Sequence, residues 1–205
     1  MTGSVTFIGT VSPAGGNLKE PVTESTKKAA RCFYALSQNR ADSKRYPAID
    51  TIDSYSKYLE YPEFIEYSKE KLDENWVETV SEARNILIRG KETEEQINIL
   101  GDDSVPIDYH ITLWKAELID FVILQQDAFD KIDASTSLER QEYMLKKIIS
   151  ITRSEFDFES FEEVGIYFKR LINIFRQLNY TVFKSEEFYS TEKEADAILE
   201  ERIIK

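Results

Sequence analysis

One histidine and one cysteine stand among the 205 residues, and both shortages exclude chemistry. A zinc site needs several His or Cys ligands, so His110 by itself makes one improbable. Cys32 has no partner for an internal disulfide and fits a reducing compartment as a buried structural thiol, in a stretch that reads as helix. No apolar run approaches the ~20 residues of a membrane span; the longest, "ELIDFVIL", is interrupted by Asp120, and no signal-peptide pattern opens the chain. Basic residues are outnumbered, 26 Lys and Arg against 38 Asp and Glu, for a net charge of −12. Such a surface repels nucleic acid and anionic lipid and favours a basic protein partner. Phosphate-binding glycine motifs are missing too: there is no G-x-x-x-x-G-K-[ST] and no G-x-G-x-x-G, and "AGGN" reads as a tight turn.

What is present is apolar material at helical spacing. Hydrophobic residues make up 41% and aromatics 12%, enough for a core. The opening "GSVTFIGTV" is apolar on both faces and reads as a buried β-strand, yet almost nothing else in the chain could pair with it. "PVTESTKKAARCFYALS" reads as a helix capped by Thr23, with Ala29, Phe33 and Leu36 on one face. Pro47 pushes Tyr46 toward extended backbone, so "YPAID" is a short strand or stiff connector. From Pro62 the pattern is helical almost to the end. Ile65, Trp76, Val80, Ala83 and Leu87 form a stripe closed by Gly90, and "ETEEQINIL" stops at Gly101. A helix restarts near Pro106, and capping boxes at Thr136/Glu139 and Thr191/Glu194 open two more. The expected fold is mainly α: a bundle of about six helices over 61–205, preceded over 1–60 by one or two strands and a helix, an α/β character with too few strands to close a sheet.

Acidic residues are abundant, but on helices they usually form a solvated face, so a carboxylate-based hydrolase is the weakest reading. "GDDSVPID" differs, being a stiff acidic loop between two helices. Chemistry alone leaves contact function and simple connection equally open there. Likewise Tyr46 and Phe129 read either as core rings or as the walls of a pocket for a flat ligand.

Several stretches in order, "GSVTFIGTVSPAGGNLKEPVT", "FYAL", "RYPAIDTIDSYSKYL" and "LQQDAFDKIDASTSLERQEYML", resemble the C-terminal part of the catalytic A subunit of archaeal and vacuolar-type rotary ATPases. The resemblance runs to about residue 149, and the Gly-Gly turn before "EPVT" favours the A subunit over the non-catalytic B subunit. It departs from the family pattern at Ala14, Asn17 and Ser37, which touch a turn and a helix end. The resemblance implies that the opening strand belongs to a central nucleotide-binding domain whose other strands, phosphate loop and catalytic acids lie upstream. Met1 and Thr2 then read as the start of a produced piece or as residues after a cut.

By the same resemblance, Tyr46, Ala128 and Phe129 contribute to an adenine pocket, with Phe129 reaching inward from a helix end. Asp102, Asp103, Ser104, Val105, Pro106 and Asp108 form a tip that contacts the central stalk. No catalytic residue and no metal ligand is expected within these 205 residues. The whole subunit would use ATP or ADP with Mg, hydrolysing or synthesising ATP coupled to ion transport. This part alone would be inactive and hold no nucleotide tightly. Implied partners are B subunits, central-stalk subunits and other A subunits in a hexameric head, peripheral on the cytoplasmic side of a membrane. The competing reading is a stand-alone acidic helical interaction module without catalysis.

Overall fold

The computed structural model describes Gly3 and residues 5–204; Met1, Thr2, Ser4 and Lys205, and with them the reading of the first two residues as a start or cut site, lie outside the described residues. Residues 5–13 carry no regular secondary structure, and Val5, Phe7 and Ile8 are 80%, 91% and 92% exposed. The expected buried strand is therefore an exposed arm without regular secondary structure. Its apolar side chains find no cover among the described residues, because no strand here pairs with it.

Helix α1 spans Pro21–Ala29, begun by Pro21 in the first-turn position where a missing N–H costs nothing. Its N-cap is Glu20, to which Thr23 donates a 3.0 Å hydrogen bond. Thr23 thus sits inside the first turn, and the helix ends before Cys32. Cys32 and Phe33 form strand β1 (Cys32–Phe33), antiparallel to β2 (Tyr55–Ser56), with Cys32 half-buried against the Ser56 hydroxyl. A single bridge pairs Leu36 with Ile49 in "YPAID", and α2 (Gln38–Asp42), capped by Ser37, lies between. Two short strands and a pair of helices are all the α/β character the described residues hold.

The bundle follows as α3 (Pro62–Lys71), α4 (Trp76–Leu100), α5 (Ile107–Ile119), α6 (Leu138–Arg153), α7 (Phe161–Asn179) and α8 (Glu186–Glu200). Helix α4 runs straight through Gly90. A Cβ there would lie 2.1 Å from the Cβ of Ala116, so this glycine marks a close crossing of α4 on α5 and not a helix end. The stop comes at Gly101, whose φ of 87° is open to glycine and strained for other residues. Helices α6, α7 and α8 are capped by Ser137, Ser160 and Ser185, each hydroxyl accepting a backbone N–H three residues on. The expected capping boxes at Thr136 and Thr191 are thus displaced. Thr136 instead donates to the Asp133 carbonyl, and Thr191 lies within α8.

Helix α7 is the centre of the core. Val164, Phe168, Leu171, Phe175 and Leu178 are fully buried at 3–4 spacing, packed with Leu118 of α5, Ile148 of α6 and Phe188 of α8. Arg140, itself buried, donates to the carbonyls of Leu178 and Thr181 (2.8 and 2.9 Å), satisfying the open carbonyls where α7 ends. None of the described helices is long and apolar enough to cross a membrane.

Candidate functional site

The C-terminal end of α5 does not stop cleanly. It continues as a π-helical turn, Asp120–Leu124, in which the Gln125 N–H reaches the Asp120 carbonyl at 2.8 Å. That wider turn is an irregularity frequently met at functional sites. It releases Gln125 into extended backbone and starts the loop of residues 126–135.

Three aspartates fold that loop on itself. Asp130 accepts from the Ile132 and Asp133 N–H groups at 2.8 Å each, and Asp127 from Phe129 N–H at 2.9 Å. Asp133 accepts from Asp127 N–H at 2.6 Å, and Gln126 Nε2 donates to the Asp133 carbonyl at 2.6 Å. Burial pushes the Asp133 carboxyl above its ordinary range despite that backbone bond. These acids are scaffold: they hold out Ala128 and Phe129 on a folded loop.

Opposite the loop stands the segment around Tyr46, reached through a cis Tyr46–Pro47 peptide. The Tyr46 carbonyl accepts the Gln126 N–H at 2.8 Å, fastening the two walls together. Between them lies a cavity of about 560 Å³, lined by Tyr46, Pro47, Gln125, Ala128 and Phe129, and on its far side by Phe121 and by Arg176, Asn179 and Tyr180 of the α7 end. Asn179 is itself held by a 2.8 Å bond from its Nδ2 to the Val122 carbonyl. The volume lies in the range of small-molecule sites. The sequence-expected trio Tyr46, Ala128 and Phe129 therefore converges on one cavity from segments some eighty positions apart.

Their posture differs from expectation in one respect. Phe129 is 99% exposed and Tyr46 53%, so Phe129 projects from a loop at the cavity mouth and does not reach inward from a helix end. Neither ring is core. What distinguishes these two rings from singly exposed apolar residues, which are ordinary, is that both border the same cavity.

Behind the Tyr46 wall lies an ion cluster that the sequence reading missed. Arg45 grips Glu117 with its two terminal guanidinium nitrogens (3.0 and 2.8 Å) and reaches Asp120 at 2.7 Å; Arg40 takes the other Asp120 oxygen at 2.7 Å. Burial pulls the Arg45 pKa down, but the bonds to Glu117 and Asp120 outweigh it and leave it above its ordinary value. Burial pushes Glu117 up, and Arg45 only partly reverses this. One signal was available in the sequence. Asp120 breaks an apolar run three positions after Glu117, which sets two carboxylates on one buried helix face.

The second predicted group lies at the other end of α5. Asp102–Ser104 form a 3₁₀ turn after Gly101, Val105 is extended, Pro106 caps α5 and Asp108 sits in its first turn. Asp102, Asp103, Ser104, Pro106 and Asp108 are exposed, and Val105 is half-buried. His110 Nε2 lies 3.2 Å from the Asp102 carbonyl, its buried ring stacked on Phe161 at 5.0 Å, which anchors the tip from beneath. The tip residues do not meet the cavity residues. Thirteen helical residues separate the groups, about 20 Å at ~1.5 Å per residue. Among the described residues no cluster of three or more His, Cys, Asp or Glu is arranged to hold a metal.

Comparison with known proteins gives two family matches. Residues 65–159 match the C-terminal domain of V and A type ATP synthase, and residues 1–56 match the nucleotide-binding domain of the ATP synthase alpha/beta family. The V-type ATP synthase alpha chain of Treponema denticola is 40% identical over 190 residues, covering 93% of this chain and 30% of its own length. That of Borrelia duttonii is 38% identical over 190 residues, covering 93% and 31%. That of Protochlamydia amoebophila is 37% identical over 200 residues, covering 98% and 33%. The chain thus spans about a third of the length of these relatives. A solved structure of an ATP synthase subunit, NeqB of Nanoarcheaum equitans, aligns with 67% of this chain and 32% of that one at a TM-score of 0.49 and 21% identity.

Proposed function

The chain belongs to the family of V- and A-type ATP synthase alpha chains, as their C-terminal part, and we propose that it supplies two working surfaces of a rotary motor subunit. One is part of an adenine pocket; the other is the tip that meets the central stalk. The observation that carries the reading is the convergence of Tyr46, Ala128 and Phe129 on one cavity, with exposed rings at its mouth.

Stacking suits these rings. A purine has two π faces, and an aromatic pair on either side gives it contact area without demanding a charge. Phosphate handling belongs to residues outside this chain: its sequence holds no phosphate loop, and the relatives are about three times as long. In the whole subunit ATP or ADP with Mg is the ligand, and hydrolysis or synthesis is coupled to ion transport. Residues 1–60 are the edge of the nucleotide-binding domain and 61–205 the helical domain, a division supported by the two family matches on either side of residue 60.

At the far end of α5, Asp102, Asp103, Ser104, Val105, Pro106 and Asp108 offer negative charge on a turn held by Gly101, Pro106 and His110. Closure of the nucleotide domain swings the bundle, and this tip presses on the shaft. The partners are then central-stalk subunits, non-catalytic B subunits and further alpha chains in a hexameric head on the cytoplasmic face of a membrane.

Titration of the chain with ADP tests the pocket. Weak, saturable binding that is lost in Tyr46→Ala and Phe129→Ala supports it, and binding unaffected by either substitution contradicts it. Mg-dependent ATP turnover by the 205 residues alone would contradict the assignment of phosphate chemistry to the rest of the subunit.

A further inference from the structure

The two proposed surfaces share one helix, and the Arg45 cluster is where the pocket wall is bolted to it. We propose that Arg45 is a positioning residue of the purine pocket: with Glu117 and Asp120 it ties the Tyr46 wall to α5, so that a purine seated at Tyr46 is registered at residues 101–108. The inference rests on the pocket reading above and adds the connection between pocket and tip.

Four observations carry it. Arg45 directly precedes Tyr46 in sequence, and its backbone is pinned as well, its N–H donating to the Arg40 carbonyl at 2.8 Å. Its guanidinium makes three bonds of 2.7 to 3.0 Å to two carboxylates about one helical turn apart, Glu117 on α5 and Asp120 at the start of the π turn that continues it. The same guanidinium covers the Phe121 ring at 4.5 Å, and Phe121 lines the cavity. Beyond Tyr46 the chain is held again, by Gln126 N–H on the Tyr46 carbonyl. The wall is therefore gripped on both sides of the aromatic residue, and each grip leads to the α5 end.

Stability alone does not call for this arrangement. Replacing a buried ion pair by apolar residues of similar volume is often neutral or favourable, because desolvation offsets the attraction. What a forked guanidinium on two fixed carboxylates supplies is orientation, which a lysine point charge does not reproduce. A packed helix then carries a shift at one end to the other, since its backbone hydrogen bonds and its close crossing on α4 at Gly90 leave it little room to bend.

The test uses the whole 205-residue chain, labelled with nitrogen-15, and ADP added to millimolar concentration. In the unsubstituted chain ADP is expected to shift the amides of Tyr46, Ala128 and Phe129 and also those of residues 101–108. Arg45→Met with Glu117→Leu removes the clamp while leaving Arg40 on Asp120; Arg45→Lys keeps charge without the fork. In either variant the shifts at 101–108 are lost, while ADP still shifts Phe129 at higher concentration. Should the double variant fail to fold, the Lys variant alone decides. Tip shifts of undiminished size in a folded variant, or pocket shifts without tip shifts in the unsubstituted chain, overturn the inference and leave the pocket intact. No shift at Tyr46 or Phe129 in the unsubstituted chain overturns the pocket reading and this inference together.

Discussion

Asp120 and Glu82 are both carboxylates paired with arginine, yet they ought to behave oppositely under substitution. Asp120 is buried between Arg40 and Arg45, so Asp120→Ala leaves Arg40 without its carboxylate, takes one of Arg45's two carboxylates away, and should cost about 3–5 kcal/mol in denaturant unfolding. A loss below about 1 kcal/mol would show that water reaches the cluster. Glu82 faces Arg153 across the α4–α6 surface, and Glu82→Gln should change stability by only ~0–1 kcal/mol. Its bond from Arg153 holds the Glu82 pKa below the ordinary 4.5. With the folded value below the unfolded one, the pair contributes fully above the unfolded pKa and loses its contribution as pH falls through the folded one. A carboxyl titration followed by NMR should give a midpoint under 4.5 that rises with added salt, since the pair is exposed.

At the scale of elements, the crossing of α4 on α5 is the sharpest constraint. Alanine is favoured over glycine inside a helix by about 1 kcal/mol, so Gly90→Ala would stabilise an isolated α4. In the folded chain the new Cβ would meet Ala116, and the helices must separate. A net loss of about 1–3 kcal/mol is expected, with Ala116→Gly in the same chain recovering most of it. Independent, additive effects of the two substitutions would remove the crossing from the account.

Gly90 also shows what periodicity does and does not reveal. A glycine ending an apolar stripe and a glycine allowing two helices to touch look alike along one chain, because the partner Ala116 lies on another element. The helices themselves were legible, since α5 and α7 bury stripes at 3–4 spacing. Caps were found only approximately. Thr136 and Ser137 are neighbours of similar chemistry, and only backbone direction decides which accepts the N–H. The pocket trio was reachable through the family resemblance, but its far wall was not. Arg176, Asn179 and Tyr180 sit on a helix whose sequence shows only bundle pattern, and the fold alone brings them to Tyr46.

The molecule as a whole is a bundle with an unfinished edge. Val5, Phe7 and Ile8 are exposed together on an arm without secondary structure, apolar surface suited to burial against other protein. The isolated chain should therefore self-associate with rising concentration in sedimentation experiments, and Phe7→Ser with Ile8→Ser should restore the monomer without lowering the melting temperature. Association unchanged by those substitutions would point to another surface. A net charge of −12 works against this association and should make it stronger in added salt.

The central claim, that an adenine ring is held between the Tyr46 segment and the 126–135 loop, is most directly tested by photolabelling with 2-azido-ADP and mapping the adduct by mass spectrometry. Adducts are expected on peptides carrying Tyr46 or Ala128–Phe129, suppressed by excess ADP. Adducts confined to other peptides, or label that ADP does not displace, would contradict it.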